Sequence, residues 1–177
     1  MTKYQQALSF ATKAHGEQKR KYTFGPYINH PIAVAKKVQD LGYHEDIVCA
    51  ALLHDVVEDV PEITIDDIEK EFGIIISRMV NDLTDVYTTE AFPLIRRKER
   101  KLLECFRISK ISSNAKTIKV ADLIDNTYSI VQYDKDFAKI YLREKEEMLK
   151  VLSGADQFLM AECFTVLKKA KEKLSII

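Results

Sequence analysis

Apolar residues recur at helical spacing along most of the chain. The first apolar face comprises Tyr4, Ala7, Leu8, Ala11 and His15, each three or four positions from a neighbour on the same side of a helix. Pro31 suits the first turn of a second helix, which we expect over about 31–41, before Gly42. A third helix is expected over about 45–58, because the apolar pattern continues until shortly before Pro61.

The same period predicts helices in the rest of the chain. "TIDD" (64–67) has the residues of a helix start, a capping threonine followed by acids. "FGIIISRMVNDL" (72–83) is rich in β-branched residues, yet its apolar positions keep helical spacing, so we predict a helix. The remaining helices are expected at about 93–110, 113–131, 136–152 and 155–173. Only "TIKVA" (117–121) could be a strand, and one isolated strand makes no sheet. The sequence therefore predicts an all-α, single-domain helical bundle over residues 1–177.

Composition narrows the classes of function. The chain has 177 residues with 27 basic and 27 acidic side chains, so its overall charge does not attract nucleic acid or a membrane surface. A local basic stripe at 96–101 leaves a nucleic-acid partner open, although it also fits an ordinary solvated helix face. Three scattered cysteines indicate reduced thiols. With no apolar N-terminal segment and no membrane-length apolar run, we expect a cytoplasmic, soluble protein.

Four ionisable residues interrupt the apolar segment "AALLHDVVEDV" (50–60). His54, Asp55, Glu58 and Asp59 are spaced to share one edge of a helix. An imidazole beside a carboxylate suits a transition-metal ion. A solvated acidic helix end is the simpler explanation of "HD" on its own.

Three other segments carry polar groups that suit the same chemistry. "PYINHP" (26–31) places His30 just before the second helix, and "IKVADLIDN" (118–126) places Asp122 and Asn126 one turn apart in a buried helix. "GEQKRKYTFGPY" (16–27) supplies Arg20 and Lys21, cations suited to phosphate, in a loop before His30. Taken singly, each feature also fits a capping, packing or solvated role.

Taken together, these segments resemble a known family. Their order, "AHGEQKRK…PYINHP", "ALLHDVVED", "FG…V…LTD" and "IKVADLIDN", resembles the HD superfamily of metal-dependent phosphohydrolases. The finer pattern is most similar to the hydrolase domain of RelA/SpoT proteins, and among them to the stand-alone, SpoT-like small alarmone hydrolases. The resemblance covers about residues 3–130, and the helices at about 135–173 are expected to brace the bundle.

The resemblance implies a site for one divalent metal ion, usually Mn²⁺. It assigns the metal to His30, His54, Asp55 and Asp122, a ligand set that also suits Zn²⁺ or Fe²⁺. It assigns Glu58 and Asp59 to activation of the attacking water. It assigns substrate binding to Arg20, Lys21 and Asn126.

The activity implied by the resemblance is removal of the 3′-pyrophosphate from guanosine tetra- or pentaphosphate (ppGpp or pppGpp), giving GDP or GTP. Two departures from the family affect substrate contacts: the longer loop "YTFG" (22–25), and "ADLIDN" (121–126) where relatives have "ADRLHN". Alternative substrates are therefore another nucleotide, such as NADPH, or a pyrophosphorylated RNA 3′ end, as for antitoxin-like hydrolases. A catalytically inactive nucleotide-binding module is a further alternative, although every catalytic motif position is retained.

Overall fold

In the computed structural model, which describes residues 1–175, every regular element of that part of the chain is an α-helix. The all-α prediction is confirmed. "TIKVA" (117–121), the one candidate strand, lies inside a long helix. The chain divides into two compact units, Met1–Thr84 and Asp85–Ile177. That residues 1–177 form one domain stays a prediction.

The first unit is built around one helix that is apolar on all sides. This helix, α3, buries every residue from Ile47 to Leu53, and it packs against α1, α2 and α6. The helices of the unit are α1 (Lys3–His15), α2 (Asn29–Asp40), α3 (Glu45–Leu53), α4 (Val56–Asp59), α5 (Ile65–Phe72) and α6 (Ile74–Leu83).

The expected continuous helix over 45–58 is wrong. The regular helix is interrupted by a turn at His54 and Asp55, whose backbone dihedral angles stay in the right-handed helical region, and α4 resumes at Val56 as a single turn. The apolar pattern continues through Val56 and Val57, so no local pattern indicated the interruption. The break separates the buried α3 from α4, whose acidic residues are exposed.

The second helix begins two residues earlier than predicted. Asn29 is its first residue, and Pro31, which has no N–H to donate, is still within the first turn, where that N–H has no helical partner. His30 therefore lies inside α2 rather than just before it. Its side chain is buried.

The start of α5 follows the predicted signal. Thr64 and Asp67 form a capping box, in which each side chain accepts a hydrogen bond from the other's backbone N–H. Gly73 separates the two helices with φ +86°, a left-handed value that favours glycine. The helix predicted over 72–83 is confirmed from Ile74 onward as α6, whereas Phe72 is the last residue of α5 and Gly73 lies between the two helices.

The second unit is organised on its longest helix, α8, against which α9 and α10 pack, while α7 packs on α9. Its helices are α7 (Arg97–Ile108), α8 (Ser113–Tyr133), α9 (Lys135–Val151) and α10 (Gln157–Lys173). The helix expected to begin near residue 93 begins only at Arg97. The preceding segment is instead held by the buried Glu104, whose carboxylate accepts hydrogen bonds from the backbone N–H groups of Val86 and Tyr87 at 3.3 and 3.2 Å.

None of the helices in residues 1–175 has both the length and the apolar character needed to cross a membrane.

Candidate active site

Two histidines and a carboxylate meet in the first unit. The ring nitrogens of His30 and His54 come within 4.8 Å of one another. The Asp55 carboxylate lies beside both, with Oδ2 3.5 Å from Nε2 of His30 and Oδ1 3.2 Å from Nε2 of His54. Both histidines are buried, and Asp55 is partly buried. Three of the four predicted metal ligands are therefore brought together.

The backbone fixes which nitrogen of His54 faces Asp55. Nδ1 of His54 lies 2.8 Å from the carbonyl oxygen of Ala51. A carbonyl can only accept, so Nδ1 carries the proton and, in the neutral ring, Nε2 carries the lone pair. A histidine oriented through its other nitrogen by a backbone carbonyl is the usual arrangement of a metal ligand.

A tyrosine that the sequence analysis did not select contacts the same carboxylate. The Tyr27 hydroxyl donates to Oδ2 of Asp55 at 2.8 Å. Burial, followed by the charges of Asp55 and Asp59, raises the pKa of the Tyr27 phenol, so it remains a donor. Burial by itself would raise the pKa of Asp55, but His54, His30 and the Tyr27 hydroxyl outweigh it and lower that pKa.

The two predicted catalytic carboxylates follow on α4. Glu58 and Asp59 are both exposed, so solvent reaches them. Oδ2 of Asp59 accepts a hydrogen bond of 3.0 Å from Nε2 of Gln18, which comes from the segment after α1. Gln18 lies 41 residues from Asp59, and no local pattern links the two. The catalytic role of both carboxylates stays a prediction.

The basic loop forms a short hairpin between α1 and α2. Lys19 and Pro26 form an isolated β-bridge, and the Arg20 N–H donates to the Gly25 carbonyl at 2.9 Å. The Arg20 guanidinium lies 5.9 Å from the centre of the Tyr27 ring, so this cation is tied to the residue that contacts Asp55. Lys21 is exposed and lies over the ring of Tyr22.

The fourth predicted ligand and the predicted nucleoside contact lie one turn apart on α8 in the second unit. Nδ2 of Asn126 donates to Oδ1 of Asp122, and the other carboxylate oxygen of Asp122 lies 3.3 Å from Nζ of Lys119. Asp122 is buried. That Asp122 is a metal ligand stays a prediction.

A pocket of about 160 Å³ in the second unit is lined by Asp122 and Asn126. Lys101 and Lys119 also line it, although the sequence analysis selected neither for this site. Lys119 stands three residues before Asp122, a spacing that places both on one helix face and could have indicated it.

Comparison with known proteins supports the family that the motifs suggest. Residues 7–141 match the profile of the HD domain. Human guanosine-3′,5′-bis(diphosphate) 3′-pyrophosphohydrolase MESH1 is 40% identical over 124 residues, which are 68% of this chain and 65% of the human protein. Mouse MESH1 is 34% identical over 162 residues, which are 87% of each protein. A guanosine-3′,5′-bis(diphosphate) 3′-pyrophosphohydrolase of Aquifex aeolicus is 32% identical over 84% of this chain. The matched region is only 21% of that longer protein.

Two solved structures are also similar to this chain over most of its length. A structure described as a metazoan ortholog of SpoT that hydrolyses ppGpp superposes with a TM-score of 0.81 at 28% identity, covering 100% of this chain and 98% of that one. A protein of Listeria monocytogenes superposes with a TM-score of 0.62 at 25% identity, covering 81% of this chain and 99% of that one. The protein therefore belongs to the HD-domain family of hydrolases.

Proposed function

We propose that this protein is a metal-dependent 3′-pyrophosphohydrolase that converts ppGpp or pppGpp into GDP or GTP and pyrophosphate. The observation that carries the proposal is the meeting of His30, His54 and Asp55 directly before the carboxylates of α4. The chain is similar over most of its length to proteins named for this activity.

The donor set in the first unit fits a divalent metal ion. Two buried imidazoles are borderline ligands and a carboxylate is a hard oxygen ligand, a mixture that suits a divalent transition-metal ion such as Mn²⁺. The Nδ1 hydrogen bond of His54 orients its Nε2 toward Asp55. We propose that His30, His54, Asp55 and Asp122 hold one Mn²⁺ ion. When bound, such an ion polarises a phosphate oxygen and lowers the pKa of a nearby water.

Glu58 and Asp59 are proposed to act on the attacking water. A carboxylate that accepts the water's proton while the water approaches phosphorus is a general base. Both carboxylates are exposed on α4, so they can reach solvent, and Asp59 is held by Gln18. The bond that breaks joins this phosphorus to the ribose 3′-oxygen, which leaves with the bonding electrons and takes up a proton. The released pyrophosphate therefore carries the oxygen of the attacking water.

A polyphosphorylated nucleotide requires cations away from the metal. Arg20 and Lys21 are placed on the hairpin after α1, and Arg20 is tied to Tyr27. Lys101 and Lys119 line the pocket that also contains Asn126. We propose that Arg20 and Lys21 bind phosphates and that Asn126 contacts the nucleoside.

The basic segment 96–101 supports a small substrate over RNA. Binding of a long polyanion would need cations free to contact successive phosphates. Three of the segment's cations instead hold neighbouring groups of the same unit: Arg97 with Glu144 at 2.7 Å, Lys101 with Asp85 at 3.1 Å, and Arg100 with Thr89 at 2.7 Å. We also propose a cytoplasmic location, because the thiols of Cys49, Cys105 and Cys163 are free and buried.

The test is product analysis of the Mn²⁺-loaded protein with three substrates: ppGpp, NADPH and an RNA with a 3′-pyrophosphate. Ion-exchange chromatography is expected to show GDP and pyrophosphate from ppGpp at a rate well above that for the other two. The Asp55→Ala variant, purified in parallel, controls for contaminating hydrolases. Faster turnover of NADPH or RNA would replace the proposed substrate, and absence of all three reactions would favour an inactive nucleotide-binding module.

A further inference from the structure

A chain of hydrogen bonds joins a buried histidine to the carboxylate of Asp59. Nδ1 of His15 lies 2.8 Å from Oε1 of Gln18, and Nε2 of Gln18 donates to Oδ2 of Asp59 at 3.0 Å. His15 is buried and ends α1. Its ring packs against that of Tyr27 at a tilt of 38°, with centroids 4.7 Å apart, and Tyr27 in turn donates to Asp55.

The direction of each hydrogen bond follows from the carboxylate. An ionised carboxylate only accepts, so the Gln18 amide must present its N–H₂ group to Asp59. The amide oxygen then faces His15, and Nδ1 of His15 must donate to it. Neutral His15 is therefore protonated on Nδ1. Its Nε2 is buried and accepts no hydrogen bond from any residue in 1–175.

We propose that His15, Gln18 and Tyr27 form a positioning network that fixes the orientations of the Asp59 and Asp55 carboxylates. The network comes from the end of α1 and the hairpin, whereas Asp55 lies in the break after α3 and Asp59 is the last residue of α4. None of the three residues needs to touch the substrate. They act through the two carboxylates, so they are positioning residues.

The arrangement matters because Asp59 is exposed on a helix of only four residues. Without Gln18 the Asp59 carboxylate would lose the amide hydrogen bond that restrains its orientation. A carboxylate that must accept a proton from an approaching water loses rate when its orientation is not fixed. The Gln18 amide donates a hydrogen bond to the Asp59 carboxylate but does not transfer its proton. The carboxylate can therefore still accept a proton from water.

The first test separates positioning from binding. Gln18→Met keeps the length of the side chain and removes both amide groups. We expect kcat to fall by about 10-fold, with KM and Mn²⁺ affinity changed less than about twofold. Gln6→Met makes the same chemical change at an exposed position of α1 and is expected to leave kcat unchanged. An unchanged kcat in Gln18→Met would overturn the proposal.

The second test uses the difference between the two histidine nitrogens. In His15→Asn the side-chain amide can donate from near the position of Nδ1, whereas in His15→Gln it lies near that of Nε2. We expect His15→Asn to retain several-fold more kcat than His15→Gln. Thermal unfolding of both variants shows whether either has lost its fold. Equal losses in two folded variants would mean that Nδ1 donation plays no part.

A third measurement does not depend on activity. The proposal rests on the proposed function for its catalytic meaning, but the hydrogen bonds themselves can be tested in the metal-free protein. Imidazole ¹⁵N spectra are expected to show His15 protonated on Nδ1, the less common tautomer of a free histidine, with loss of that preference in Gln18→Met. An Nε2-protonated His15 would overturn the network whether or not the protein hydrolyses ppGpp. Failure of ppGpp hydrolysis with the expected spectrum would overturn only the proposed function.

Discussion

The imidazole rings of His30 and His54 meet edge to face with their centroids 5.3 Å apart. His30 comes from the first turn of α2, and His54 follows the last residue of α3. The packing of these two helices therefore sets the spacing of the donors. Asp55 lies beside both rings, so its carboxylate is the group whose loss should affect the site most.

Replacing Asp55 by alanine is expected to abolish both metal binding and turnover. The change removes a proposed metal ligand. The loss of metal affinity should therefore exceed the roughly 10–100-fold that is typical when a residue that only hydrogen-bonds to a ligand is removed. Metal content after gel filtration, measured by mass spectrometry, and ppGpp hydrolysis would be compared with the wild type. Asp66→Ala, at an exposed position of α5, is the matched control. Full metal content in Asp55→Ala would remove Asp55 from the proposed ligand set.

Replacing Glu58 by glutamine is expected to lower kcat while the metal stays bound. The amide keeps the shape of the side chain but cannot accept a proton from water, and general-base catalysis typically contributes about 10²–10⁴-fold. KM and metal content should be nearly unchanged, which is the pattern of a group needed only in the transition state. Steady-state kinetics and metal analysis of the same preparation measure both.

Glu62→Gln serves as the control for this substitution, because Glu62 is exposed beyond the end of α4. Loss of metal from Glu58→Gln would make Glu58 a ligand. A near-normal kcat would transfer the role of base to Asp59. If the segment were only a charged helix end without function, kcat and metal content would both be unchanged in Glu58→Gln.

The helices could be predicted from the sequence because burial of one face imposes a period on each segment. Even "FGIIISRMVNDL" (72–83) followed its period rather than its β-branched composition, since packing against α3 outweighs intrinsic preference. The break at His54 and Asp55 could not be predicted, because the apolar pattern runs through it.

The meeting of His30, His54 and Asp55 was expected from the motif resemblance, whereas the contacts that orient the carboxylates were not. Tyr27 is 28 residues from Asp55, and Gln18 is 41 residues from Asp59. Pairs at such separations depend on how α1, the hairpin and α3 pack. A tyrosine in "PYINHP" (26–31) has many ordinary roles, and only the folded geometry distinguishes them.

Removing the carboxylate of Glu104 is expected to destabilise the protein strongly. This buried group accepts hydrogen bonds from the N–H groups of Val86 and Tyr87 and from Nε of Arg107 at 2.6 Å. Glu104→Ala leaves these donors, including a charged one, without their acceptor, which typically costs about 3–5 kcal/mol. Urea unfolding followed by circular dichroism gives the change, with Glu99→Ala as the exposed control on the same helix. A loss equal to that of the control would mean that water replaces the carboxylate.

Lys145 provides a prediction about pH. Its side chain is fully buried, and Nζ donates to Oγ1 of Thr127 at 2.7 Å. Burial lowers the pKa of Lys145 below its usual value of 10.5, and this effect outweighs the opposing influence of Cys163 and Asp122. In the unfolded chain the amine keeps its usual pKa, so between the two values the unfolded state binds more protons than the folded state.

The free energy of unfolding contributed by Lys145 must therefore increase with pH across that window. The penalty for burying the ammonium is complete below the lowered pKa and disappears as the pH approaches 10.5. Lys145→Met fills similar space without a charge, so its stability relative to the wild type should be greatest near neutral pH and should decline as the pH is raised. Urea unfolding at a series of pH values measures the difference, in which groups common to both proteins cancel. Lys150→Met, at an exposed position of α9, should show no comparable pH trend. A constant difference between wild type and Lys145→Met would mean that the buried amine titrates alike in the folded and unfolded states.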